Sequence, residues 1–308
     1  MENGTDFCAK EFFPEKEKIG MIKCRNCSDA KEEATGGERK NSVAKQNEEE
    51  KILLNAVLSN VAAQMRGPLS VLHTSAQKLL RQEIPGAAQL NQSYYQLVRL
   101  AGNLSAAEVL ASGSMRAVCM NGDIVDFCRT LMERLEPLAA KKKVQVVFAC
   151  AEKEHVAAFD AHLLERLLLN LISNALKFTP EGGRIVLSLR FQKQHIFLEV
   201  EDNGCGIAED KMDTLFDRYL HSERMDPEPY GLGLGLPVCR AIAQAHHGRI
   251  LAQSQVGEGT KITVILPDET SALQRVRDAA FDYAGGFDHI LVELSDALSA
   301  ESYDPKNL

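Results

Sequence analysis

No apolar run in this 308-residue chain approaches the length of a membrane span, and no signal peptide opens it. A soluble, cytoplasmic protein without a transmembrane segment of its own is the expectation. Dense basic clusters are missing too. Lys and Arg number 35 against 43 Asp and Glu, the formal charge is −8 and the pI is near 5.6, which argues against a nucleic-acid partner. The CxxC of Cys24 and Cys27, even with Cys8, lacks a nearby fourth Cys or His to complete a structural zinc site. The eight cysteines of the chain therefore read as reduced thiols scattered without a framework.

What is present begins with Leu163–Thr179, LLERLLLNLISNALKFT. Asp160 stands at an N-cap position and Pro180 closes the run, so a helix is marked at both ends. Leu164, Leu168, Leu171 and Ala175 form its apolar face, while Asn170, Asn174 and Lys177 recur at i, i+4 and i+7 on another. A solvated helix face is usually filled with Lys and Glu. Two short, uncharged amide oxygens are instead hard ligands suited to a Mg²⁺ that keeps several waters.

Downstream, Ile196, Leu198 and Val200 alternate as in a strand that ends in EVEDNGCGI (Glu199–Ile207), and YGLGLGL (Tyr230–Leu236) forms a second glycine loop before a helix. Glycines let backbone approach phosphate oxygens, and helix starts offer them unpaired N–H groups. The spacing of Gly231, Gly233 and Gly235 fits neither the P-loop nor the dinucleotide fingerprint.

Taken in order, these stretches resemble the ATP-binding domain of sensor histidine kinases, the family that shares its fold with gyrase, the Hsp90 chaperones and MutL. NLISNALKFT matches the N box, DNGCGI the first glycine box, LFDRY (Leu215–Tyr219) the F box and GLGLGL the second glycine box; Ser254 and GEGTKITVILP match the closing strands. The resemblance implies ATP and Mg²⁺ as cofactors, with Asn174 on the metal, Asn170 supporting its shell and Lys177 reaching a phosphate. Asp202 would accept from the adenine amino group, Gly204, Gly206 and Ile207 would turn under the base, and Thr260 would help through a water. Residues 218–230 would form a lid hinged at Phe216, with Arg218 supplying charge, and Gly231, Leu232, Gly233, Leu234, Gly235 and Leu236 closing over the phosphates. Asp202, Asn203 and Gly204 would also suit a plain turn.

Four segments are expected: a polar leader over 1–50, a helical hairpin over 51–115, the ATP-binding domain over 116–268 and an acidic, helix-patterned extension over 269–308. The fold class is α+β. A two-layer α/β sandwich with a mixed sheet and helices on one face follows an antiparallel hairpin whose apolar face suits a four-helix bundle with a second copy. Its strands are placed at 144–150, 155–159, 184–191, 195–201, 249–254 and 261–266, and a helix at Asn121 to about Lys143. The extension, with Phe287, Ile290, Leu291, Leu294 and Leu298 at helical intervals, reads as a helix docked on the ATP domain or as a partner-binding tail.

In the family the first hairpin helix carries a histidine five residues before a proline. Here the matching stretch is AQMRGPL, in which Ala63 takes the histidine's place and Gln64 that of its acidic neighbour. Alanine has no nucleophile, so the family's autokinase reaction cannot occur there. His73 lies on the same helix but points elsewhere, and His246 and His247 suit a helix C-terminus. The resemblance thus implies a two-component protein that dimerises and meets a response regulator receiver domain, and Ala63 counts against its being an autokinase. The alternatives are a non-catalytic ATP-binding switch or scaffold, a pseudokinase, and the heterodimer partner of an intact histidine kinase within a phosphorelay.

Overall fold

The computed structural model describes Met65, Pro68, Leu69, Gln82 and residues 71–79, 84–216, 234–271 and 288–304. Its centre is a five-stranded mixed sheet of β2 (Gln145–Cys150), β4 (Arg184–Gln192), β5 (His195–Asp202), β6 (Arg249–Gln255) and β7 (Gly259–Pro267). The order is β2-β4-β5-β7-β6; β2 runs parallel to β4, and the other pairings are antiparallel. Strand alternation sorts the two faces. Ile185, Leu187, Leu189, Ile196, Leu198, Val200, Ile262, Val264 and Leu266 are buried on one. The other carries ion pairs such as Arg190–Glu199 and Lys261–Glu201, both 2.6 Å, as a water-facing surface.

Helices α2 (Ile124–Lys141), α3 (Ala161–Phe178) and α5 (Gly235–Ala245) cover the apolar face, and the short α4 (Glu209–Met212) follows β5. Asp160 caps α3, its Oδ1 accepting from the Leu163 N–H at 3.1 Å, and Leu164, Leu168, Leu171 and Ala175 are all buried as their spacing requires. The α+β architecture with a mixed sheet and helices on one face is thus present.

Two readings of the sequence need correction. Asn121, Gly122 and Asp123, taken as the first turn of a helix, belong to a strand, β1 (Met120–Asp123), and α2 starts only at Ile124. The reason is Asp123. Its Oδ1 accepts from the Val125, Asp126 and His155 N–H groups, which makes it the cap and forces the residues before it out of the helix. The second correction concerns Val156–Phe159, β3, which pairs antiparallel with β1 in a separate two-stranded ribbon and not in the main sheet. Gly122 permits this, because a Cβ there would stand 3.3 Å from the Phe159 ring.

Residues 71–79 are helical, and after a turn at Gly86 (φ 87°) helix α1 runs from Ala87 to Ser112. Val71, Leu72, Leu90 and Leu97 are exposed on these helices. Among the described residues, no helix is long and apolar enough to cross a membrane. The C-terminal segment is only briefly helical. Asp288 caps α6 (His289–Glu293), and a 3₁₀ turn follows at Ala300–Tyr303. Ile290, Leu291, Leu294, Leu298 and Tyr303 are buried where this segment meets α1 and α3.

Candidate functional site

One end of the site is built where β5 leaves the sheet. Asp202 pairs with Thr260 across β5 and β7, and its Oδ1 accepts from the Gly204 N–H at 2.9 Å, an Asx-type turn. Burial pushes the Asp202 carboxyl above its ordinary range, opposed by the backbone N–H groups of Gly204 and Thr260. The glycines are required by close approach. A Cβ on Gly204 would lie 2.5 Å from the Phe178 carbonyl oxygen, and one on Gly206 (φ +69°) would lie 2.0 Å from that of Gln255. Ser254 fastens this loop to the closing strand: its Oγ accepts from the Ile207 N–H at 2.8 Å, donates to the Gly259 carbonyl at 2.8 Å and meets Thr260 Oγ1 at 2.9 Å. The result is a rigid, partly buried carboxylate between two glycine-lined walls.

The other end lies between α3 and the start of α5. Asn170 is only 1% exposed, so its stripe is not a solvated helix face. Its Nδ2 donates to the Arg166 carbonyl at 2.9 Å, while its Oδ1 has no hydrogen-bond partner among the described residues. That oxygen faces Gly235, the first residue of α5, where a Cβ would stand 3.0 Å away. A buried acceptor without a donor beside the open N–H groups of a helix start is a fitting place for a metal-bound polyanion. Asn174 is half-buried one turn on. Lys177 lies another turn along with its side chain 6% exposed; burial and the nearby Arg99 lower its pKa, and Asp296 opposes them.

At this end the structure adds residues that the sequence reading passed over. Glu293 Oε2 accepts from Asn170 Nδ2 at 3.2 Å and lies 3.3 Å from Arg99 Nε, while its Oε1 lies 3.6 Å from Arg166 Nε. Asp296 Oδ2 meets Arg99 Nη1 at 2.7 Å and Lys177 Nζ at 3.4 Å. Arg166, four residues before Asn170 on the same stripe, was a visible signal. Arg99, Glu293 and Asp296 stand far away in the sequence and had none.

Of the other expected residues, Phe216 and Leu236 pack against the core and Leu234 is buried. Arg218, Gly231, Leu232 and Gly233, like Ala63 and Gln64, lie outside the described residues. His73 packs on Tyr94 and Tyr95, with ring centroids 4.9 and 6.2 Å away, and burial lowers its pKa. His246 is buried at the end of α5, its Nε2 accepting from the Asp160 N–H at 3.0 Å and its Nδ1 donating to the Ile242 carbonyl at 2.8 Å.

Comparison with known proteins agrees with this geometry. Residues 159–270 match the family described as histidine kinase-, DNA gyrase B- and HSP90-like ATPases. This segment is a domain of that ATPase family. Similar proteins include the alginate biosynthesis sensor protein KinB of Pseudomonas aeruginosa, 30% identical over 58% of this chain and 29% of that protein. The sensor histidine kinase RppB of Synechocystis is 27% identical over 68% of this chain and 48% of its own length. For the sensor protein kinase PmrB of Pseudomonas aeruginosa the figures are 29%, 68% and 44%. The chain thus spans less than half the length of these relatives. Among solved structures, full-length ShkA in complex with AMPPNP superposes with a TM-score of 0.58 at 24% identity, covering 70% of this chain and 46% of that one, and so shares the fold.

Proposed function

We propose that this chain is a member of the histidine kinase family that binds ATP with Mg²⁺ between α3 and the start of α5 and works in two-component signalling as a nucleotide-dependent switch, without autophosphorylation at Ala63. The observation that carries this reading is Asn170, whose buried Oδ1, unpartnered among the described residues, faces the first residue of α5. Asn174 and Asn170 would hold the metal or its waters, and Lys177 would place its ammonium on a phosphate oxygen. Bound Mg²⁺ would offset the phosphate charge. Asp202 would accept from the adenine amino group, favouring adenine over guanine, which has an oxygen at that position. Its turn through Gly204 and the Ser254 bonds would keep the acceptor fixed before the base arrives.

The exposed Val71, Leu72, Leu90 and Leu97 give the hairpin an apolar surface suited to a second copy, or to an intact kinase as a heterodimer partner. A response regulator receiver domain would be the next component. Ala63 leaves no nucleophile at the acceptor position, and His73, packed against two tyrosines, does not replace it. The test is to incubate the purified chain with γ-labelled ATP and Mg²⁺, measure binding, and follow label retained on protein. Binding that is lost in Asn174→Ala, with no acid-labile, base-stable label, is the expected result. Such label on the unmodified chain, absent from Asn174→Ala, would replace the switch with a kinase, and no binding at all would end the nucleotide reading.

A further inference from the structure

We infer that the C-terminal segment 288–304 is a built-in occupant of the phosphate end of the site, so that its docking and the binding of a nucleoside triphosphate exclude one another. The inference rests on the nucleotide reading above and concerns its regulation.

Lys177, which would hold a phosphate, and the amide nitrogen of Asn170, which would support the metal, are already engaged. Glu293 takes the Asn170 amide at 3.2 Å, and Asp296 takes the Lys177 ammonium at 3.4 Å. The Asp296 carboxylate on Lys177 stands where a phosphate oxygen would stand, with charge of the same sign and the same acceptor chemistry. Lys177 cannot serve both at once, and Glu293 sets a negative charge beside the open Asn170 Oδ1, where it opposes an incoming polyanion. Two further cations complete the cluster, Arg166 and Arg99, so three positive groups meet two carboxylates and the pocket keeps an excess of one charge. That excess favours a more highly charged anion over the docked segment.

The segment also binds the hairpin. Besides the Arg99 pairs, α1 donates from Asn91 Nδ2 to the Tyr303 carbonyl at 2.8 Å and from Gln92 Nε2 to the Leu298 carbonyl at 2.8 Å. Gln92 and Gln96 both reach the Ser295 carbonyl at 3.3 Å. On the other side, His289 Nδ1 meets the buried Glu165 of α3 at 2.9 Å. The segment is therefore a latch with one side on the N-box helix and the other on α1. Displacing Glu293 and Asp296 removes the charged half of its hold on Arg99, so arrival of the triphosphate is transmitted to the hairpin. That is the two-state element a switch needs.

The deciding measurement is hydrogen exchange on the full-length, unmodified chain with and without saturating MgATP, joined to MgATP affinity in Glu293→Gln/Asp296→Asn. These changes keep side-chain shape and remove both charges. Amides of 288–304 should exchange faster with nucleotide, and the double variant should bind MgATP at least tenfold more tightly than the unmodified chain. Equal affinities together with unchanged exchange in 288–304 would overturn the latch and leave ATP binding standing. Failure of both proteins to bind MgATP would overturn the nucleotide reading, and the latch with it. Should the variant not fold, the exchange result on the unmodified chain decides alone.

Discussion

The two ends of the candidate site are held by different forces. At the Asp202 end, backbone sets the shape: carbonyls of Phe178 and Gln255 press against glycines, and Ser254 ties the loop to β7. At the Asn170 end, charge sets it: Arg99, Arg166 and Lys177 close on Glu293 and Asp296. Close packing has no alternative partner and tolerates almost no change. An ion cluster does have alternatives, because any anion of suitable charge can take a carboxylate's place. The first end is thus the fixed half of the site and the second is the half that can be exchanged.

The comparison is broken most severely at Gly206. Valine there must hold φ +69° and place Cβ 2.0 Å from the Gln255 carbonyl oxygen, so Gly206→Val should cost about 4 kcal/mol or more in denaturant unfolding. A loss under about 1 kcal/mol would mean that the loop yields and that its rigidity is not set by packing. Next comes Arg99→Met, which strips Glu293 and Asp296 of their shared cation at 7% exposure. Arg166 and Lys177 remain, so a loss of about 3 kcal/mol, the lower end for a broken buried pair, is expected in the same measurement. A smaller effect is expected at Asp202. Asp202→Ala keeps the glycine walls, removes the acceptor and should weaken ATP binding by about 1–3 kcal/mol while erasing the preference for ATP over GTP. A preserved preference would move base recognition elsewhere.

The rigid half was legible in the sequence, and of the exchangeable half the Asn170, Asn174 and Lys177 stripe was, but the carboxylates and arginines that close on it were not. DNGCGI, the alternation of β5 and the capped helix at Asp160 are local signals, each readable within ten residues or so. The pairing of Arg99 with Glu293 and Asp296 joins residues almost two hundred positions apart, and no local rule selects such partners. The extension's apolar spacing suggested a longer helix, yet α6 stops after five residues, where its carboxylate turns to Asn170. The β1–β3 ribbon failed for another reason. Ile124, Val125 and Phe127 fit a helix so well that the pattern was extended backwards through Asp123, which is in fact its cap. The β4–β5 hairpin was placed to within a residue by the alternation of its strands, although it turns at Lys193 and Gln194, both at positive φ (50° and 61°), without the Asn-Gly that usually announces such a turn.

The smallest effect expected lies behind the fixed half, at His246. This ring ends α5 and serves as an acceptor at Nε2 for the Asp160 N–H, so only its neutral form fits. Burial lowers its pKa, and His247 adds to this; the Ile242 carbonyl and Asp160 oppose it without reversing the direction. The unfolded chain, with an ordinary histidine pKa of about 6.5, then binds a proton that the folded chain refuses. Stability from this group is complete above that pH and is lost as pH falls through the lower folded value. His246→Gln keeps an acceptor for Asp160 and cannot titrate. Subtracting its melting profile from that of the unmodified chain between pH 8 and 5 removes the other histidines and carboxylates from the comparison. The difference should grow on the acid side and reach no more than about 2 °C. A flat difference would mean that His246 turns outward when protonated, and that the cap joining α5 to the start of α3 is a looser contact than its 3.0 Å bond implies.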